Sequence, residues 1–453
     1  MEGSPKMRKL IAFFFMTAIV LFGWPDDRAA AAEDLQALID SAEEGAVLQL
    51  ENKTYQGNIT ISKALTLIGS TRTSIKGDGT GNVVSIHASG VELHDLTVSG
   101  SSMNRNSAEE YAAVKIYSDH NVLDNLTVKN SYHGVYLSKA DHNTIKNSVI
   151  SGSGNGEIAG QGNGLHVYYS NNNIFENNRI SGSRDGMFFD YANNNRTINN
   201  HISETRYGLH YMYSDDNIFK GNIFTLNSGG AAVMNSNRLT LTNNEFIFNY
   251  GHRSFGLLIL SANDNEIENN TFYLNQRGLY IDQSSRNMIT NNRIIQNQIG
   301  IELWASSSEQ VFSKNQIHGN SIPALTLGGS ADNSWNADGT GNDWGSQFPL
   351  ADLDQNGIGD QPVSYYSSLY EQIEDQELTY LFLKSPAIKL FDRINGLLQK
   401  NDKMFEDHYP LVQTTNKEFQ KGWLIFAAVI ALLILIRGRN RLCITFGRNG
   451  RKA

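Results

Sequence analysis

Short apolar runs, each opened by a glycine and closed by Asn, Ser or Gly, recur along most of the chain. Gly134, Gly164, Gly186, Gly208, Gly230, Gly256, Gly278 and Gly300 head successive copies, at intervals of 30, 22, 22, 22, 26, 22 and 22 residues. Asn follows at plus nine in most copies (Asn143, Asn173, Asn195, Asn217, Asn265, Asn287) and again at plus fourteen (Asn178, Asn200, Asn222, Asn244, Asn270, Asn292). A fixed period in the low twenties, built from β-branched and aromatic runs with no helix-length segment, predicts a solenoid. Each unit is then one three-strand coil of about 22 residues, and the fold class is all-β, a right-handed parallel β-helix. A leucine-rich repeat would need a Leu framework that this period lacks.

Strand alternation turns the repeat into columns. One residue after each glycine stand Val135, Leu165, Met187, Leu209, Ala231, Leu257, Leu279 and Ile301; three after stand Leu137, Val167, Phe189, Tyr211, Val233, Ile259, Ile281 and Leu303. These two columns predict the core. The plus-two column (Tyr136, His166, Phe188, His210, Ala232, Leu258, Tyr280, Glu302) and the plus-four column (Ser138, Tyr168, Asp190, Met212, Met234, Leu260, Asp282, Trp304) then point outward. Aromatic and apolar side chains on an exposed face imply a binding surface.

Coils stack at roughly 4.8 Å, which makes Met212 and Met234 neighbours, with His210 and Asp190 alongside and His166 in the same outward column as His210. Thioether, imidazole and carboxylate together suit copper better than calcium or magnesium. An adaptable partner-binding face, for which Met is a pliable choice, or a ligand groove fits the same columns. The repeated Asn are structural, tolerating turn geometry and bonding the coils above and below. Asp215-Asp216 invites a catalytic pair, yet Asn171-Asn172, Asn193-Asn194 and Ser284-Ser285 fill the same turn in other copies, so no catalytic residue is assigned.

The flanks of the repeat read differently. Leu35, Leu38, Ile39 and Ala42 share one face of a short helix ending near Gly45, an N-terminal cap for a solenoid over residues 33–343. Polar segments at 101–110, 151–161 and 250–255 interrupt the period and predict loops that wall a binding face. Residues 344–420 lose the repeat. There Asp352, Asp354 and Asn356 stand at positions 1, 3 and 5 of a calcium-type loop, with Gly357 at its turn, the Ile358 carbonyl next and Asp360 as a further ligand. Val363 replaces the closing Glu, so a structural calcium site and a metal-free Asx turn both fit. Spacing through Leu381, Ile388, Phe391 and Ile394 predicts helices packed at the solenoid end or against a membrane partner.

Lys6, Arg8 and Lys9 precede an apolar run over 10–22, and Ala30-Ala31-Ala32 follows, which predicts a signal peptide over 1–32. A second apolar run of 14 residues, 423–436, lies between Lys421 and Arg437. With snorkelling of those flanks it predicts a transmembrane anchor over 421–437, although ~20 residues usually span a bilayer. The basic tail, 438–453, is then cytoplasmic by the positive-inside rule. Cys443 is the single cysteine, so neither an intramolecular disulfide nor a cysteine-based metal cluster can form. Residues 33–420 hold 26 basic and 43 acidic side chains, a formal −17, which excludes nucleic acid as a partner and favours cations or basic proteins.

R-D-G-M-F-F-D, R-Y-G-L-H-Y-M-Y-S-D-D-N, G-A-A-V-M, F-G-L-L-I-L and, later, L-F-L-K-S-P-A follow one another between about Leu35 and Val412. In that order they resemble the NosD family of nitrous oxide reductase maturation proteins, described as periplasmic copper-binding proteins. The G-L-H-Y-M and S-P-A segments narrow the likeness. The resemblance implies a non-enzymatic accessory factor, an extracytoplasmic β-helix working with an ABC transporter of permease and ATPase subunits. It implies a role in building the copper centres of nitrous oxide reductase, with copper arriving from a lipoprotein chaperone. His210 and Met212 are carried over as candidate copper ligands from the matched motif, while Met234, Asp190 and His166 rest on the columns. The C-terminal anchor departs from the family pattern and implies tethering at the outer face of a cytoplasmic membrane instead of a free periplasmic protein. The alternative is a polysaccharide-binding or polysaccharide-cleaving cell-surface β-helix, which predicts acids with Lys or Arg along one groove.

Overall fold

The computed structural model describes residues 34–153, 158–251, 253–329, 332–367, 382–383, 385–398 and 402–412. The expected signal peptide, membrane anchor and basic tail lie outside these residues. Among the described residues no helix is long and apolar enough to cross a membrane.

Three parallel sheets of twelve strands each wind into a right-handed solenoid. The chain visits the sheets in turn, and every strand inside a sheet pairs with its counterparts one coil before and one coil after. On the third sheet, Tyr207–Met212 lies between Asp185–Asp190 and Gly229–Met234. Sharp corners separate the strands because single residues adopt left-handed backbone angles: Tyr213, Asp216, Gly221 and Leu226 in one coil have φ of 51°, 57°, 68° and 58°. Asn, Asp and Gly suit such corners, which explains much of the composition between strands.

The plus-one and plus-three columns form the core, with Met187, Leu209, Phe189 and Tyr211 all fully buried. Asn ladders run along the inside of the corners. Asn195 N–H donates to Asn217 Oδ1 at 2.7 Å, and Asn200 N–H to Asn222 Oδ1 at 2.9 Å. A third ladder, absent from the sequence reading, joins Asn227, Asn249, Asn275, Asn297 and Asn320. Each rung satisfies buried backbone donors that turning chain would otherwise leave unpaired. The heading glycines answer to crowding between coils. A β-carbon on Gly186 would stand 2.5 Å from the Gly208 carbonyl oxygen, and one on Gly208 2.6 Å from that of Gly230.

Helix α1, Leu35–Ser41, covers the first coil with Leu35 and Ile39; Asp34 caps it by accepting the Gln36 N–H at 3.0 Å. The far end is closed differently. Strands Val363–Ser367 and Asp402–Asp407 pair antiparallel, and Phe405 stacks on Trp344 at 4.2 Å. Asp407 Oδ2 accepts from Asn342 N–H at 2.8 Å and Trp344 Nε1–H at 2.9 Å, taking the place of the next ladder rung. In the region read as helical, one α-helix is described, α2 at Pro386–Leu397, with Leu390, Phe391, Ile394 and Leu397 exposed.

Candidate functional site

The plus-two column was expected in solvent and is not. Tyr136, His166, His210, Ala232, Leu258 and Glu302 are buried, and Phe188 and Tyr280 half-buried. The ladder register steps over the glycine, pairing Asp185 with Tyr207 and then Met187 with Leu209. In three coils the polar residue before the glycine leans over the plus-two residue of the following coil. His133 meets His166 with ring centroids 5.0 Å apart, Asp185 meets His210, and Arg277 Nε donates to Glu302 Oε2 at 2.8 Å. The loop over 101–110 folds onto the same face. There Glu109 pairs with Lys115 at 2.8 Å, and Tyr136 OH donates to Glu110 Oε2 at 3.0 Å.

Midway along this face Asp185 Oδ2 lies 3.1 Å from His210 Nδ1, while Arg206 donates Nε to Oδ1 at 2.8 Å and a terminal nitrogen to Oδ2 at 2.6 Å. Burial alone would raise the Asp185 pKa; the hydrogen bonds and charges of His210 and Arg206 outweigh it and hold the carboxyl below its usual value. His210 Nε2 is buried and has no hydrogen-bond partner among the described residues. Its ring packs against Phe188 at 4.8 Å and Tyr207 at 5.3 Å. In the neighbouring plus-four column Met212 pairs in register with Asp190 on one side and Met234 on the other, all three half-buried. Asp190 is raised, chiefly by burial, with His210 partly opposing the shift.

Toward the N-terminus Glu110, His133 and His166 each bring one ligand atom within 4.8 Å of the others. His133 Nδ1 accepts the Asn163 N–H at 3.0 Å, and its buried Nε2 has no partner among the described residues. Burial, then the Lys115 charge, pushes the His133 pKa down to about 3, and burial likewise holds His166 well below its ordinary value. Glu110 lay in the 101–110 loop, read as a wall of the face with no ligand assigned to it, and His133 escaped the sequence reading because the position before the glycine was not treated as a column. Its polar residues His133, Asp185 and Arg277 were the available signal.

The structure therefore divides the expected copper set. Asp190, Met212 and Met234 stand side by side in register on three adjacent strands, with His210 two residues before Met212 on the middle one, whereas His166 is two coils from His210, with Phe188 between them. In the expected calcium loop Asp352 accepts the N–H groups of Asn356 at 3.1 Å and Gly357 at 3.0 Å; Asp360 accepts that of Leu353 at 2.8 Å, and Asn356 Oδ1 that of Ile358 at 2.7 Å. Asp354 bonds the Asn356 amide at 2.9 Å. Asp215 and Asp216 pair with Arg238 at 3.0 and 2.7 Å on the solvent side of a turn.

Residues 152–348 match the family described as "Periplasmic copper-binding protein (NosD)". That stretch contains Asp185, His210, Met212 and Met234 but neither Glu110 nor His133. No curated protein matches the chain. A mannuronan C-5 epimerase A-module (AlgE6) of Azotobacter vinelandii is 16% identical with a TM-score of 0.51, over 67% of this chain and 93% of that one. A PL6 alginate lyase solved with a trisaccharide is 14% identical with a TM-score of 0.48, over 67% and 81%. Likeness at such identities is one of fold.

Proposed function

We propose that the chain is a non-enzymatic, extracytoplasmic copper-handling factor that carries its cargo ion on the outer face of the third sheet. His210 Nε2 and the thioethers of Met212 and Met234 are the donors, and Asp190 supplies nearby negative charge. The carrying observation is that two methionines adjacent in register lie one column from a histidine whose Nε2 is buried and unpartnered. Such a nitrogen needs an electrophile, and imidazole with two thioethers is a soft set that favours copper. The family match over 152–348 supports the same reading.

On this reading the copper serves nitrous oxide reductase, received from a lipoprotein chaperone, with the protein seated on an ABC transporter of permease and ATPase subunits. An N-terminal signal exports it, and the apolar run 423–436 tethers it to the outer face of the membrane. Cu(I) loading and metal analysis of wild type against Met212→Ala/Met234→Ala test the assignment. Loss of one copper per chain is expected, and unchanged stoichiometry would remove the site.

One observation favours a saccharide groove as a second reading: Lys115 with Glu109, Arg206 with Asp185 and Arg277 with Glu302 alternate along this face beside Tyr136, Tyr207 and Tyr280. These charges largely engage one another. Turnover or binding of uronans by the full-length protein would establish that reading, and its absence across such substrates would count against it.

A further inference from the structure

We propose that Asp185 is the positioning residue that fixes the tautomer of His210, and thereby decides which of the two histidine clusters on this face takes Cu(I). The inference rests on the copper reading for its ligand and on hydrogen-bond geometry for its mechanism.

A carboxylate gripped by two guanidinium nitrogens, at 2.8 and 2.6 Å, is ionised and can only accept. His210 Nδ1, 3.1 Å from the same carboxylate, must then carry the proton. In the neutral ring this leaves Nε2 as a bare lone pair, buried beside Phe188 and Tyr207 with no donor to satisfy it. A histidine whose far nitrogen donates to a carboxylate is oriented for metal ligation, and its ligand nitrogen is made more basic. Arg206 offsets the charge of Asp185, so the ring lone pair and the thioethers of Met212 and Met234 meet the ion with Asp190 as the carboxylate in register beside Met212. That balance suits a soft monovalent cation.

His133 has the opposite wiring. A backbone N–H, from Asn163, donates to its Nδ1 at 3.0 Å, so Nδ1 must be unprotonated and Nε2 must hold the hydrogen in the neutral ring. Three potential ligand atoms within 4.8 Å are therefore not three ligands. His133 offers its neighbours Glu110 and His166 a donor, and a cation there would first have to displace that proton.

The test uses full-length protein labelled with ¹⁵N-histidine, with His210 assigned by His210→Gln. In the metal-free wild type, His210 should show the Nδ1–H tautomer and His133 the Nε2–H tautomer. Competition for Cu(I) against a chromogenic chelator should then show Asp185→Asn weakened by about 10–100-fold, the usual cost of losing such an outer partner. Arg206→Lys, which keeps the charge and loses the fork, should weaken binding less and serves if Asp185→Asn fails to fold. An Nε2–H tautomer at His210, or unchanged Cu(I) affinity in a folded Asp185→Asn, overturns the proposal. Failure of the copper reading looks different: His210→Ala would bind Cu(I) like wild type, while the metal-free tautomers would still decide what Asp185 does.

Discussion

His133 and His210 stand three coils apart on one face of one solenoid, and both keep an Nε2 that is buried and unpartnered among the described residues. The nitrogen at the other side of the ring separates them. In His210 it faces a carboxylate held by Arg206; in His133 it faces a backbone N–H. Proximity of ligand types alone would favour the Glu110–His133–His166 group, yet the proton inventory favours His210. Donor identity, fixed one bond further out, determines what a buried imidazole can bind.

The largest expected contrast is in bound copper. Met212→Ala/Met234→Ala or His210→Ala should lose the Cu(I) bound by the wild type, while His133→Ala, provided it folds, should keep it; retention in the first set with loss in the last would reverse the assignment. Glycine substitutions separate scaffold from site. Gly186→Ala pushes against the coil that carries His210, and Gly134→Ala against the coil that carries His166. Each should cost about 1–3 kcal/mol by overpacking in denaturant unfolding. Only Gly186→Ala should also weaken Cu(I) binding, so equal effects of both on copper would merge the two clusters.

Acidification should distinguish them next. His133 is held down to about 3 in the fold against an unfolded value near 6.5, so the unfolded chain takes up the proton first. Its contribution is complete above roughly pH 6.5 and is lost as pH falls toward the folded value. Asp185, also lowered, keeps its contribution through that window and loses it only below the ordinary carboxylate range. Unfolding free energy should therefore fall between about pH 6.5 and 4, with a slope of at most about 1.4 kcal/mol per pH unit for each buried histidine. His133→Asn, which retains an acceptor for Asn163, should flatten the fall. An unchanged pH profile would contradict the buried neutral state. The smallest effect belongs outside the face: Arg238→Ala should cost under about 1 kcal/mol and leave copper untouched, because its pairs with Asp215 and Asp216 are solvent-exposed.

The core was legible in the sequence because its columns obey strand alternation, as Met187 and Leu209 illustrate, and the Asn at plus nine and plus fourteen announced their ladders by period. The adjacency of Met212 and Met234 followed from the same spacing. Burial of the plus-two column did not, since alternation states which way a side chain points and not what leans over it. Asp185 and His133 were hidden by their place before the glycine, where the register steps and an apparent turn residue becomes part of the face. The returning strand Asp402–Asp407 was also beyond local pattern, because Asp407 completes an Asn ladder whose last rung lies 65 residues earlier, at Asn342.

The most direct test of the account is copper K-edge X-ray absorption on the full-length protein loaded with one equivalent of Cu(I). Two sulfurs and one imidazole nitrogen, from Met212, Met234 and His210, are expected around the copper. A shell of nitrogen and oxygen without sulfur would contradict it and move the ion to the Glu110–His133–His166 cluster.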